Sequence, residues 1–254
     1  MDTLHLERNK IKEITSVNNS QIKRVTSLQN KKYRDAYKEF FIEGEKSIKE
    51  AIKFNQKIKN IYYCPKMIDY KFDFPGTEVT EEIIKKISDV TTSQGIIAVC
   101  KTPQYADFKK DRILFLDRVQ DPGNVGTIIR TADAFGFNAV FLSKGCADVY
   151  SPKVIRATMG SIFHIPVIQN VDIEEIKAIG NKIFSSSLET NELLDKIEIS
   201  RKFTLVIGNE GNGISEEVKN ITNKFVKIKM NGNAESLNAS IAAGILMYEF
   251  SKKI

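Results

Sequence analysis

The sequence predicts an α/β protein of two domains, with a larger parallel-sheet domain following a smaller α/β domain. Its 254 residues are enough for two domains of ordinary size. Short strands alternate with helices over about the first hundred residues, and longer, more apolar strands follow a polar stretch that contains Pro103. We therefore expect domains at 1–101 and 111–254, joined by a linker at 102–110.

The first domain is predicted to begin with a short helix at Ser20. The segment SQIKRVTSLQN offers a helix cap and places Ile22, Val25 and Leu28 on one face. The elements expected after it are a strand at FFIEG, a helix at EKSIKEAIKF, a strand at KIKNIYYC, a helix at TEEIIKKISD and a strand at GIIAVC. Together they form a small α/β layer.

The second domain is predicted to be a doubly wound α/β fold with a C-terminal helix. Its expected strands are ILFLD, AVFLS, KIFSSS, FTLVIG and FVKIKM, apolar runs typical of a parallel sheet that is covered on both faces. Helices are expected between or after them at 125–135, 174–179, 216–221 and 236–252.

The positive charge of the chain is concentrated at its front. The net charge is +6, and residues 1–60 carry all of it, with 14 Lys and Arg against 8 Asp and Glu. The predicted first helix brings five cations close together, namely Lys23, Arg24, Lys31, Lys32 and Arg34. Such a front is typical of a protein that binds nucleic acid, although a solvated lysine-rich surface explains the composition equally well.

Cysteine and histidine usage argues against several kinds of site. Cys64, Cys100 and Cys146 are odd in number and widely spaced, which fits neither a disulfide framework nor a zinc site, so we interpret them as buried thiols. The only histidines are His5 and His164, and we interpret the latter as a core or cleft-wall residue. No metal is expected.

The N-terminal stretch MDTLHLERNKIKEI is interrupted by charges and does not resemble a signal peptide. We find no apolar run of membrane-spanning length, and we expect the protein to reside in the cytoplasm without a membrane partner.

Three loops rich in Gly, Asn and acidic residues follow predicted parallel strands. They are RVQDPGNVG, NEGNGIS and NGNAESLN, and each lets the backbone turn sharply and approach a ligand closely. Ligands of open parallel sheets bind beyond the carboxyl ends of the strands, where these loops lie. The first loop matches neither a P-loop nor a dinucleotide fingerprint, so a nucleotide-phosphate site is excluded.

Arg130 lies on the predicted helix that follows the first of these loops. Gly126 and Thr127 precede it by four and three residues, so small groups border the guanidinium, which we interpret as poised over a cleft. The alternative is an arginine on a solvated face, paired with Asp133 or Asp121.

The final predicted helix, SLNASIAAGILMYEF, is rich in small residues along one side. Such a side allows another helix to approach closely, either within the domain or across a dimer.

The three loops in their order resemble the three motifs of the TrmH (SpoU) family of S-adenosylmethionine-dependent RNA ribose 2′-O-methyltransferases, in the SPOUT superfamily. The motifs are DRVQDPGNVGTIIRTADAFGF, LVIGNEGNGIS and IKMNGNAESLNASIAAGILMYE, and YSPKVIRATMGSIFHIPV between the first two also resembles the family pattern. The front of the chain is similar to the RNA-binding domain of the family. The resemblance implies a deep trefoil knot in the catalytic domain, an S-adenosylmethionine site in the knotted loops and a homodimer formed through that domain.

The resemblance also implies roles for individual residues. Those that match active-site positions are Asn124, Arg130, Glu210, Ser236 and Asn238, and those that match cofactor contacts are Gly208, Ile228, Met230 and Leu237. Lys229 departs from the family, which commonly has proline there. We expect cofactor binding to survive this change because the residues on both sides are intact.

The expected reaction is methylation of a ribose 2′-hydroxyl in RNA. Large-subunit ribosomal RNA is the expected substrate, with transfer RNA as one alternative and a non-catalytic RNA-binding ribosome-assembly factor as another. An arginine side chain has a pKa above about 12 and is a poor general base. We therefore expect Arg130 to stabilise the developing alkoxide, and Lys31, Lys32 and Arg34 to contact RNA.

Overall fold

The structure is a computed structural model that describes residues 12–68, 75–194 and 197–253. The chain divides into two compact units between Pro103 and Gln104. Most of the predicted linker therefore belongs to the second unit, where the Phe108 ring packs edge-on against Phe141 with centroids 6.1 Å apart.

The first unit contains a five-stranded mixed sheet in the order β1-β4-β3-β5-β2. Its strands are β1 (Lys12–Ile14), β2 (Glu39–Glu43), β3 (Ile58–Tyr63), β4 (Thr77–Val79) and β5 (Ile96–Lys101). Its helices are α1 (Ser20–Ser27), α2 (Lys31–Tyr37), α3 (Glu45–Lys53) and α4 (Glu81–Ile87). Sequence patterns predicted all of these except β1, β4 and α2. Strand β5 is antiparallel to both β2 and β3, while the β4 pairs are parallel.

The helices of the first unit cover both faces of its sheet. Phe41 of β2 belongs to a core cluster with residues of α1 and α4, such as Ile22 and Ile83. Side chains alternate along a strand, so Glu39 shares the Phe41 face and Phe40 points to the other. Helix α3 contacts β2 and β5 and contributes no residue to that cluster, which places it over the opposite face.

The second unit contains a six-stranded sheet in which every registered pair is parallel, in the order β11-β9-β10-β6-β7-β8. Its strands are β6 (Arg112–Leu116), β7 (Ala139–Leu142), β8 (Val167–Gln169), β9 (Lys182–Ser186), β10 (Phe203–Ile207) and β11 (Lys224–Val226). Its helices are α5 (Pro122–Ala134), α6 (Pro152–Thr158), α7 (Ile173–Ala178), α8 (Glu216–Ile221) and α9 (Ala239–Lys252). The predicted parallel α/β architecture is confirmed.

Several details of the second unit differ from the sequence prediction. Helix α6 and strand β8 were not predicted, although Ser151 followed by Pro152 is a typical helix start, and the Ser151 hydroxyl does accept from the amide of Val154. Strand β11 ends at Val226 instead of running to Met230, because the chain leaves β9 there. Helix α9 begins three residues later than predicted.

The last part of the chain crosses the carboxyl edge of the sheet. Strand β11 pairs with β9 at one end of the strand order, yet α9 packs against α5 and β10. The segment between β11 and α9 therefore passes the carboxyl ends of the intervening strands, where the predicted ligand loops lie. That this crossing forms the implied trefoil knot stays a prediction.

Candidate active site and cofactor cleft

The start of α5 is fixed by its own sequence. Asp121 caps the helix by accepting a hydrogen bond from the backbone N–H of Asn124 at 2.8 Å, and Pro122 occupies the first turn, where its missing N–H costs nothing. Gly136, with φ of 69°, follows the C-terminal end. The Asp-Pro-Gly-Asn sequence therefore places the Asn124 side chain in the first turn of a rigid helix.

A relay of hydrogen bonds joins the three predicted loops. The Asn238 amide donates to Asn124 Oδ1 at 3.0 Å, and the Asn124 amide donates to Glu210 Oε1 at 3.0 Å. Asn238 Oδ1 accepts from the backbone N–H of Ser240 at 2.9 Å and so caps α9. Since each side chain binds the next, the first, second and third motif loops are held in one arrangement.

Glu210 is held as an ionised acceptor. Besides Asn124, its carboxylate accepts from the backbone N–H groups of Gln120 and Asp121, both at 3.2 Å. Partial burial raises the pKa of Glu210, but the hydrogen bonds from Asn124 and from backbone N–H groups outweigh that effect and leave the pKa below its ordinary value. Glu210 therefore positions the α5 loop and is a weak proton acceptor.

A cleft of about 640 Å³ opens beside this relay. Its size is within the range of small-molecule sites. The cleft is lined by all four residues predicted to contact the cofactor, Gly208, Ile228, Met230 and Leu237, and by three of the predicted active-site residues, Glu210, Ser236 and Asn238. Asn124 reaches it through Glu210 and Asn238. Lys229 is exposed between two lining residues, so its side chain leaves their contact with the cleft intact.

The wall of the cleft at Gly208 has no space for a side chain. A Cβ on Gly208 would lie 2.6 Å from the carbonyl oxygen of Gly213 and 2.7 Å from the amide nitrogen of Ile214. Asn209 and Gly213 exchange backbone hydrogen bonds of 2.9 and 3.0 Å, which close this loop tightly. Glycine at position 208 is therefore required for this close backbone packing, which sets the shape of the cleft wall.

Sequence reasoning missed a fourth loop of the cleft, the one that follows β9. Ser187, Leu188 and Glu189 line the cleft, and the signal was available because a serine-rich and acidic segment follows an apolar strand. Glu189 and Glu235 add to Glu210 as acidic lining residues.

The basic residue among the lining residues, Lys219, is itself paired with Glu216 at 2.7 Å. The lining therefore carries a surplus of negative charge.

Arg130 is exposed on α5 and has no hydrogen bond or ion pair within the described part of the chain. The pairing alternatives are wrong, because Asp133 lies 2.6 Å from His164 Nδ1 and Asp121 caps the helix. His164 is therefore partnered, but contrary to the sequence prediction it is half-buried and lies neither in the core nor in the lining of the cleft.

The interpretation of Gly126 as open space beside Arg130 is also wrong. A Cβ on Gly126 would clash with Ala157 and lie 2.8 Å from the carbonyl oxygen of Val154. Gly126 therefore lets α6 pack closely against α5 and leaves no opening toward the guanidinium.

Of the three predicted RNA contacts, Arg34 is corrected by the structure. Its guanidinium is buried and donates to the carbonyl oxygens of Leu28 and Gln29 at 2.7 and 2.8 Å, next to the C-terminal end of α1. Arg34 is therefore a structural residue of the first unit. Lys31 and Lys32 are exposed, as expected, and Lys31 pairs with Asp35 at 3.1 Å.

The cysteines follow the prediction in two cases. Cys64 and Cys100 are buried, and burial raises the pKa of the Cys100 thiol, whereas Cys146 is half-buried.

The described helices include none with the length and apolarity needed to cross a membrane.

The fold and the cleft together define an enzyme that holds a small cofactor at the carboxyl edge of a parallel sheet. Comparison with known proteins gives the family. The SpoU rRNA methylase family matches residues 111–248, and the MRM3-like substrate binding domain matches residues 19–98.

Similar proteins match over nearly the whole chain. One is the 23S rRNA (guanosine(2553)-2′-O)-methyltransferase RlmP of Bacillus subtilis, which is 36% identical over 244 residues, 94% of this chain and 98% of the relative. The structure of an AdoMet-bound rRNA methyltransferase from Sinorhizobium meliloti has a TM-score of 0.85 and 31% identity and covers 95% of this chain and 98% of that chain. A TrmH-family protein from Porphyromonas gingivalis has a TM-score of 0.83 and 33% identity, covering 94% and 100%.

The chain therefore belongs to the SpoU rRNA methylase family, as the resemblance predicted. It is an S-adenosylmethionine-dependent RNA 2′-O-methyltransferase with an N-terminal substrate-binding domain.

Proposed function

We propose that the protein methylates one ribose 2′-hydroxyl of large-subunit ribosomal RNA and that it acts as a cytoplasmic homodimer. The observation that carries the choice of RNA is the similarity to RlmP over 94% of this chain and 98% of the relative, substrate-binding domain included. A match confined to the catalytic domain would favour no particular RNA.

S-adenosylmethionine, bound in the cleft, supplies an activated methyl group. Gly208, Ile228, Met230 and Leu237 are the residues we assign to its binding. The Asn124, Glu210 and Asn238 relay holds the loops around it, and Ser236 shapes the third loop at the cleft. These side chains organise the site instead of exchanging protons.

Arg130 is assigned to the ribose hydroxyl. A permanently charged guanidinium with no protein partner in the described residues is available to stabilise the developing alkoxide by charge and hydrogen bonding. Glu210 is unsuited to take the proton because its oxygens already accept N–H groups. Water or an RNA phosphate accepts the proton in this scheme.

The exposed face of α9 supports the homodimer. Ile241, Ile245 and Tyr248 are exposed large apolar residues at spacings of four and three, which places them on one helix face. Ala243 and Leu246 are buried on the opposite side of the same helix, against the domain. A second copy of the chain would cover this exposed face. Ile241→Glu should therefore convert the dimer to a monomer, as measured by sedimentation equilibrium. Phe54→Glu, which places the same charge on the first unit, should leave the dimer intact.

Mapping of ribose methylation in RNA from cells with and without the gene tests the substrate. One large-subunit nucleotide should lose its 2′-O-methyl group when the gene is absent and regain it with the wild-type gene, but not with Arg130→Ala. Loss of a transfer RNA methylation with intact ribosomal RNA would contradict the proposal.

A further inference from the structure

A buried carboxylate of the first unit gathers three cations. Glu39, at the start of β2, accepts from Arg24 at 3.1 Å and from Lys59 and Lys101 at 2.8 Å each. The Glu39 side chain is 1% exposed, while those of Arg24, Lys59 and Lys101 are 41%, 45% and 37% exposed. Three positive charges against one negative charge leave a surplus that faces solvent.

Three cations are more than a buried carboxylate requires. Burial raises the pKa of Glu39, but hydrogen bonds from Arg24, Lys101 and Lys59 outweigh it and hold the pKa at about 2. One cation suffices to neutralise a carboxylate, and the two additional cations would repel one another without Glu39 between them. Glu39 therefore acts as an anchor that fixes a positive cluster at the surface.

Two tyrosines extend the cluster along α2. The Arg24 guanidinium lies 4.0 Å from the centroid of the Tyr37 ring, and the Tyr37 and Tyr33 rings are 6.0 Å apart. The Lys32 ammonium lies 6.0 Å from the Tyr33 ring, which is itself exposed. We call this surface the tyrosine–cation face, and it comprises Arg24, Lys32, Tyr33, Tyr37, Glu39, Lys59 and Lys101.

Cations beside an exposed aromatic ring suit one kind of ligand. Lysine and arginine attract backbone phosphates, and aromatic rings stack with bases that are not already stacked in a duplex. We propose that the tyrosine–cation face binds an unpaired stretch of the RNA substrate, with a base on Tyr33 and phosphates at the cations anchored by Glu39. This rests on the proposed function only in that the ligand is RNA.

The first test measures binding of the full chain to two fluorescently labelled RNAs of equal length, one single-stranded and one a blunt duplex. A length of about sixteen nucleotides is within the range of single-strand sites. Tyr33→Leu should weaken single-strand binding about tenfold, because base–aromatic stacking is lost, with little change for the duplex. Tyr33→Phe should retain binding. Phe54→Leu is the matched control, since Phe54 is an equally exposed ring beside Lys53 at the end of α3 on the other sheet face.

The second test addresses the cations. Lys59→Gln should reduce the slope of log affinity against log salt by about one, as expected for one lost phosphate contact, while Lys85→Gln should leave the slope unchanged. Unchanged single-strand binding in Tyr33→Leu, or no single-strand binding by the wild type at low salt, would overturn the proposal.

These readouts are independent of methylation mapping. If the protein methylates ribosomal RNA but Tyr33→Leu does not weaken single-strand binding, only the proposal for the tyrosine–cation face is refuted. If Tyr33→Leu weakens single-strand binding but the methylated RNA is not ribosomal, only the proposed substrate is refuted.

Discussion

The two units carry opposite charge at the places assigned to their ligands. In the first unit, the tyrosine–cation face holds its buried carboxylate among three half-exposed cations. In the second unit, the cleft is lined by Glu189, Glu210 and Glu235, and the lining Lys219 is paired elsewhere. A net charge of +6 therefore says little about either site, since one suits polyanionic RNA and the other a cofactor with a cationic sulfonium.

The central carboxylates of these two regions differ in their partners. Glu39 binds cations, so its surroundings gain positive charge, whereas Glu210 binds neutral N–H groups of the backbone and of Asn124. Neutral donors fix the position of Glu210 without adding a cation to the cleft lining. Charge therefore creates the RNA surface, while uncharged hydrogen bonds shape the catalytic loops.

The largest expected effect comes from backbone packing in the cleft. Gly208→Ala would force the loop away from Gly213 and Ile214, and we expect cofactor affinity to fall about a hundredfold. Isothermal titration calorimetry with S-adenosylmethionine measures it. Gly232→Ala is the control, because its added Cβ would meet no atom within 4 Å. Equal affinity of the two variants would show that Gly208 does not shape the cofactor surface.

Arg130→Ala should lower kcat by about a hundredfold, as expected for loss of one stabilising donor, without changing the affinity for S-adenosylmethionine. Single-turnover methylation and calorimetry separate the two quantities. The exposed Arg201→Ala serves as control.

Arg130→Lys decides the role of the guanidinium. A lysine variant with full activity and a kinetic pKa moved to that of lysine would establish a general base and refute the electrostatic role.

The sequence predicted the parallel sheet and the meeting of three loops because apolar strands and Gly-Asn turns are local patterns. It did not predict which neighbour each small or charged residue meets. Gly126 looked like space beside Arg130, but α6 fills that space. Arg34, Lys31 and Lys32 lie in the same short basic segment, yet only the Arg34 side chain is buried. It is buried because the carbonyl groups at the end of α1 need hydrogen-bond donors.

The tyrosine–cation face was beyond sequence reasoning for a similar reason. Lys59 and Lys101 are distant from Arg24 in sequence, and only the pairing of β2 with β5 brings Lys101 opposite Glu39. The face therefore depends on strand register, which local patterns do not determine.

Glu39→Gln should destabilise the first unit by about 2 kcal/mol, because three cations lose their common partner but remain partly solvated. The folded-state pKa of Glu39 is about 2, below its ordinary value of 4.5, so its contribution is present above about pH 4.5 and is lost as the pH falls toward 2. Hydrogen exchange of the first-unit amides at pH 7 and pH 3 measures it. The difference from wild type should shrink at pH 3.

Glu81→Gln, which removes a half-exposed carboxylate 4.0 Å from Lys85, should have little effect at either pH. If the stability difference between Glu39→Gln and the wild type is equal at pH 7 and pH 3, the role of Glu39 as a charged anchor is refuted.

The smallest expected effect tests the acidic character of the cleft. S-adenosylmethionine carries one more positive charge than its demethylated product, so the carboxylates of Glu189 and Glu235 should favour the methyl donor and help the product to leave. Glu235→Gln should reduce the ratio of the two affinities about threefold, a size typical of an exposed charge, and more so at low salt. Calorimetry with both ligands measures the ratio, and Glu174→Gln on α7 provides an exposed carboxylate outside the cleft as control. If Glu235→Gln, like the control Glu174→Gln, keeps the wild-type ratio of the two affinities at low salt, the charge of the cleft does not discriminate the methyl donor from the product. Charge would then have a functional role only at the RNA surface of the first unit.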